Sequence, residues 1–179
     1  MCAIAALLTD HLDKKNPGLT LVGLEKGLLL AYRHYRSWCK QRGIPASSLR
    51  FNLNRFGRES WIAMPELSTQ YKASTVKYMQ YWLADFLKEE PIVDESSHDR
   101  RCCIYALTMY QYMLDTHGEW FTEEEAKSTA QYGFDFLLFY QRLAVQSRGE
   151  AKTNYKIVPN FHYMFHHLEY IERTKRNVR

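Results

Sequence analysis

The chain has 179 residues, 46% of them hydrophobic and 15% aromatic, with a formal net charge of +4. That apolar share excludes a disordered chain, and the charge is too small by itself to mark a nucleic-acid binder. No stretch approaches the ~20 apolar residues that span a bilayer, so no membrane partner is expected.

The start, MCAIAALLTDHLD, lacks the basic segment of a signal peptide and reads as a short packed helix. Cys2, Cys39, Cys102 and Cys103 form no C-x-x-C pair, which points to reduced thiols in an intracellular protein, nuclear or cytoplasmic. After a turn at Asn16-Pro17-Gly18, a helix is predicted from about Thr20 to Gln41. Leu24, Leu28, Ala31, Tyr35 and Trp38 form its apolar stripe, with Arg33, Arg36 and Lys40 on the opposite side. Gly43-Ile44-Pro45 ends it. The stretch SSLRFNLNRFGRESW is irregular, either a short helix capped by Ser47 or Ser48 or a folded loop.

A helix over Ser68–Lys88 would bury Val76, Met79, Leu83 and Phe86. Residues 89–99 read as an exposed acidic connection to a helix over Arg101–Thr116, with Cys103, Leu107, Tyr110 and Leu114 at core spacing. Thr122-x-x-Glu125 is a capping box for a helix running to about Gln146 and burying Phe134, Leu137, Leu138 and Phe139 or Leu143. Pro159 opens the last helix. The expected fold is all-α, one domain of five to seven helices. Leu24, Leu28, Tyr35, Trp38, Leu83, Leu107, Leu114, Leu137 and Phe165 are its predicted core.

Two stretches carry chemistry. Residues 31–58 hold Arg33, Arg36, Lys40, Arg42, Arg50, Arg55 and Arg58 without an acid, interleaved with Tyr32, Tyr35, Trp38, Phe51 and Phe56, and Trp61 follows. Guanidinium groups grip phosphates and exposed rings stack on bases, so the composition suits a nucleic-acid face; the plainer account is core rings beneath a solvated surface. The tail RTKRNVR is a second basic cluster.

In the last helix, with His162 at zero, His166 falls near about 40° and Glu169 near about 340°, on one face with Arg173. Phe161, Met164, Phe165, Leu168 and Ile171 fill the apolar arc. Two histidines one turn apart with a carboxylate beside them are candidate ligands for a divalent metal such as zinc, needing a further donor from His117, His98, Asp135 or Glu124. The plainer account is a helix with surface histidines.

The order of Trp38-Cys39-Lys40, Ser47-Ser48-Leu49-Arg50-Phe51, then Lys156, Pro159, His162 and His166, then Arg173, Asn177 and Arg179, resembles a large family of uncharacterised helical proteins multiplied in dinoflagellate genomes. Asn160 stands where that family tends to have Lys, and Val178 where it has Pro. The resemblance implies a helical fold, a mobile-element ancestry and a chain that is a fragment of a longer protein; it implies no activity.

No P-loop, nucleophile elbow or Rossmann turn is present, which argues against nucleotide hydrolysis, esterase and dehydrogenase chemistry. Three functions stay open: a nucleic-acid-associated binding module, a metal-dependent helical enzyme centred on His162 and His166, and a non-catalytic interaction or scaffold domain with a protein partner.

Overall fold

The computed structural model describes residues 2–47, 49–157 and 159–177. Ser48, Val178, Arg179 and the side chain of Cys2 lie outside the described residues. The all-α expectation holds: the described residues form six α-helices and one short 3-10 turn, Asn54–Phe56. The helices are α1 (Cys2–Lys15), α2 (Leu21–Gln41), α3 (Ala73–Glu89), α4 (Glu95–Thr116), α5 (Glu123–Gly149) and α6 (Asn160–Thr174). None is long and apolar enough to cross a membrane. The chain divides into two compact units, residues up to 91 with 144–156, and residues 92–143 with those from 157 onward.

In the first unit α1, α2 and α3 pack on one another. Every residue of α1 from Ile4 to Asp13 is buried. Alanine at positions 5 and 6 favours the helix and, lacking bulk, admits neighbours on more than one side. Thr20 caps α2 by accepting a 3.2 Å hydrogen bond from the Gly23 N–H. The predicted stripe of Leu24, Leu28, Ala31, Tyr35 and Trp38 is buried throughout.

α3 starts at Ala73 instead of Ser68, because Ser68 closes a turn by accepting from the Tyr71 N–H at 3.2 Å. Met79 and Leu83 are buried as expected, Val76 and Phe86 only half so, and Trp82 is fully enclosed. Between α2 and α3 the chain is irregular and buries Phe51 and Phe56. Gly57 (φ +59) is required there: a Cβ would sit 3.0 Å from both the amide nitrogen and the carbonyl oxygen of Glu66.

In the second unit α4, α5 and α6 share a core of Tyr110, Leu114, Phe121, Ala126, Ala130, Leu168 and Ile171. α4 begins at Glu95, earlier than predicted. Asp94 accepts from the Ser97 N–H at 2.6 Å while Ser97 Oγ accepts from the Asp94 N–H at 3.0 Å. This capping box carries Ser where Glu or Gln is the usual signal, so the acidic stretch resembles a connection. The predicted Thr122–Glu125 box is present, with reciprocal bonds of 3.2 and 2.7 Å.

The α5 core face differs from the predicted one. Ala126, Ala130, Gly133, Phe136 and Tyr140 are buried, whereas Phe134 and Leu137 are half-buried and Leu138 is exposed. Leu107 is half-buried as well, and Phe165 is exposed. Phe165 lies at the rim of the α6 apolar arc, about 60° beyond Leu168, where it meets the edge of Phe134 with ring centroids 5.5 Å apart.

At Gly133 α6 lies close against α5: a Cβ there would lie 3.0 Å from Leu168 Cγ and nearer still to both its methyl groups. Leu168 is fully buried and has nowhere to retreat. Alanine gains about 1 kcal/mol of helix propensity over glycine, but overpacking costs about 1–3 kcal/mol. Gly133→Ala is therefore expected to be net destabilising, read as a lowered midpoint in thermal melting. The second unit is closed by Asn177, whose buried amide donates to the carbonyls of Leu114 (2.9 Å), His117 (3.2 Å) and Gly118 (2.9 Å) at the end of α4.

Candidate nucleic-acid interface and histidine pair

The acid-free segment separates into surface and interior. Arg33, Arg36 and Lys40 project from the exposed side of α2, opposite the buried stripe. Together with Ser37, Ile44 and Ala46 they line an open hollow of about 560 Å³. The chain that leaves α2 folds back along the helix to make this hollow, and the Tyr32 hydroxyl pins it by donating to the Ser47 carbonyl at 2.9 Å. None of the three cations meets a carboxylate among the described residues; Arg36 only stands 6.0 Å over the Tyr32 ring.

Three of the other four are held by internal partners. Arg42 donates to Asp85 at 2.8 Å and lies 4.4 Å over the Trp38 ring, and Trp38 itself donates to the same Asp85 oxygen at 2.8 Å. Arg50 is exposed. Arg55 is half-buried and donates to the Arg50 carbonyl at 3.1 Å. Arg58 is only 1% exposed, so it is no part of a surface strip. Its guanidinium donates to the Ala63 carbonyl and the Asn154 amide oxygen. Burial lowers its pKa, with the charges of Asp13 and Asp10 acting the other way.

The rings expected to stack on bases are mostly interior: Tyr32, Tyr35, Trp38, Phe51 and Phe56 are all buried. Trp61, partly exposed, is covered on one side by Arg58 at 5.1 Å. Two members of the C-terminal basic cluster are engaged too, Lys175 with Glu123 at 3.3 Å and Arg176 with Glu119 at 3.2 Å.

On α6 the histidines meet as the helical spacing predicts. His162 Nε2 and His166 Nε2 are 3.1 Å apart, and His166 Nδ1 is 3.1 Å from Glu169 Oε2. All three side chains are exposed. Glu169 is thus committed to the far nitrogen of His166 instead of to a shared point with both rings. Among the described residues no three His, Cys, Asp or Glu side chains converge as a metal-ligand group. Three of the four candidate further donors are occupied where they stand. His117 contacts Glu125 at 3.2 Å and the Met113 carbonyl at 2.9 Å, Asp135 accepts from Gln131 at 2.7 Å, and His98 contacts Asp99 at 3.4 Å. Glu124 is exposed in the first turn of α5.

One cluster escaped the sequence reading: Cys102, His98 and Asp99 on α4, at the i, i+4 spacing that would have disclosed it. The sulfur lies 3.5 Å from His98 Nε2 and 3.9 Å from Nδ1. Nearly equal distances to the two nitrogens put it off the lone-pair axis of either, along which a base would take its proton. Burial also raises the Cys102 pKa, as does the Asp99 charge. The arrangement is not that of an activated thiolate.

No protein-family model, curated protein or solved structure matches the chain.

Proposed function

We propose that the protein is a non-catalytic helical module that binds the phosphate backbone of nucleic acid through Arg33, Arg36 and Lys40. The observation that carries this is a strip of three cations on one exposed helix face, none paired with a carboxylate among the described residues, in a chain where Arg42, Arg58, Lys175 and Arg176 are all held by internal partners. Cations without internal partners keep their full capacity for charge-assisted hydrogen bonds to phosphate oxygens. The hollow they line is open to solvent.

Because the neighbouring rings are buried, the reading rests on backbone contact and not on base stacking. Binding is expected to be largely independent of sequence. Fluorescence anisotropy with labelled DNA at low salt tests this. The wild-type protein is expected to bind several unrelated sequences alike, and Arg33→Ala/Arg36→Ala/Lys40→Ala to lose most of the affinity while keeping its helical circular dichroism. Equal binding by both proteins would overturn the assignment.

A further inference from the structure

The histidine pair on α6 has a geometry that neither the fold nor the proposed backbone binding requires. His162 and His166 are exposed, one helical turn apart, with their Nε2 atoms 3.1 Å from each other. Their ring planes stand at 78° with centroids 4.4 Å apart. This contact is a hydrogen bond. Glu169 accepts from His166 Nδ1–H, leaving a lone pair on His166 Nε2, and His162 Nε2–H donates to it.

We propose that His162 and His166 form a two-imidazole site for a late first-row divalent cation, with Glu169 as the outer partner that orients His166. Two metal–nitrogen bonds of about 2.0–2.1 Å closing over this separation subtend roughly 95–102° at the cation, between the tetragonal and tetrahedral angles. The cation replaces the shared hydrogen, and His162 then carries its proton on Nδ1. A carboxylate on the far nitrogen of a ligating histidine fixes the tautomer and raises ligand basicity, which is the position Glu169 holds.

Since no third protein donor converges there among the described residues, the remaining positions belong to water. The site therefore favours copper(II), the strongest binder in the divalent series, over zinc. This assignment does not depend on the phosphate-binding strip, which lies on a different helix.

The test uses the full chain titrated with copper(II) alone in a non-coordinating buffer, by calorimetry and electron paramagnetic resonance. One site with two nitrogen ligands is expected in the wild-type protein. His162→Ala and His166→Ala should each abolish that signal, while His98→Ala and His117→Ala should leave it intact. Glu169→Ala should preserve the two-nitrogen signal and weaken binding about tenfold or more. Unchanged affinity in Glu169→Ala would remove the outer-partner role. The site itself would be overturned by a wild-type protein with no two-nitrogen signal, or by a signal that survives in His162→Ala/His166→Ala. The His162, His166 and Glu169 side chains are exposed, so circular dichroism of those variants should be unchanged.

Discussion

Trp82→Ala is expected to cost about 3–5 kcal/mol of stability, the usual toll for deleting a fully buried large aromatic. Trp82 has no exposed surface. It stacks on Phe86 with centroids 5.3 Å apart and meets the edge of Tyr35 at 5.6 Å and a tilted Phe51 at 5.7 Å. Tyr35 and Phe51 stack on each other in turn at 5.5 Å. One ring thus joins α3 to α2 and to the irregular segment after it, and its removal leaves a cavity lined by rigid rings that cannot collapse inward. The indole nitrogen donates to His34 Nδ1 at 2.9 Å. Trp82→Phe, which keeps most of the ring and loses this bond, should cost less than Trp82→Ala, with about 1 kcal/mol of its loss traceable to the hydrogen bond. Urea unfolding distinguishes the two; a loss below about 1 kcal/mol for Trp82→Ala would contradict the packing account.

Asn154→Ala is expected to destabilise by about 2–5 kcal/mol, although it removes no apolar surface of consequence. Asn154 is 1% exposed and mediates between two buried charges. Its amide oxygen accepts from Arg58, and its amide nitrogen donates to Asp10 at 2.7 Å. Asp10 also accepts from the Tyr155 hydroxyl at 2.9 Å, and the neighbouring Asp13 pairs with Lys152 at 2.7 Å. Alanine withdraws a hydrogen bond from a buried guanidinium and from a buried carboxylate in one step. Solvent cannot replace either bond at 1% and 3% exposure for Arg58 and Asp10. Urea unfolding of the variant checks this, and a cost near that of an exposed polar residue would show that the two charges are satisfied without Asn154.

Arg58 shows where sequence reading stops. Its place in an acid-free run points to a surface strip, but its guanidinium is held by Asn154, 96 residues away, and no local pattern announces that pairing. Arg33, Arg36 and Lys40 were legible because their exposure follows from helical phase opposite a strong apolar stripe, a purely local property. The same holds for the α2 core and for the meeting of His162 with His166.

Where the core face is made of small residues, its helical phase is not legible in the sequence. On α5 the large side chains Phe134, Leu137 and Leu138 drew the prediction, while Ala126, Ala130 and Gly133 form the buried side because α6 packs close there. The α4 start is hidden in the sequence for a chemical reason, since a serine serves in the capping box where the usual signal is a longer acceptor. Trp82 and Leu83 are both buried because α3 is enclosed over a wider arc than one stripe predicts.

The central claim is that Arg33, Arg36 and Lys40 bind phosphate, and the salt dependence of duplex DNA binding tests it most directly. Each phosphate contact contributes about −0.9 to the slope of log K against log salt, so three contacts give about −2.7. Replacing Arg36 and Lys40 with alanine should bring the slope to about −0.9, with folding retained because both side chains lie opposite the buried stripe of α2. A wild-type slope near zero, or the same slope in both proteins, would contradict the account and leave these residues as a solvated face.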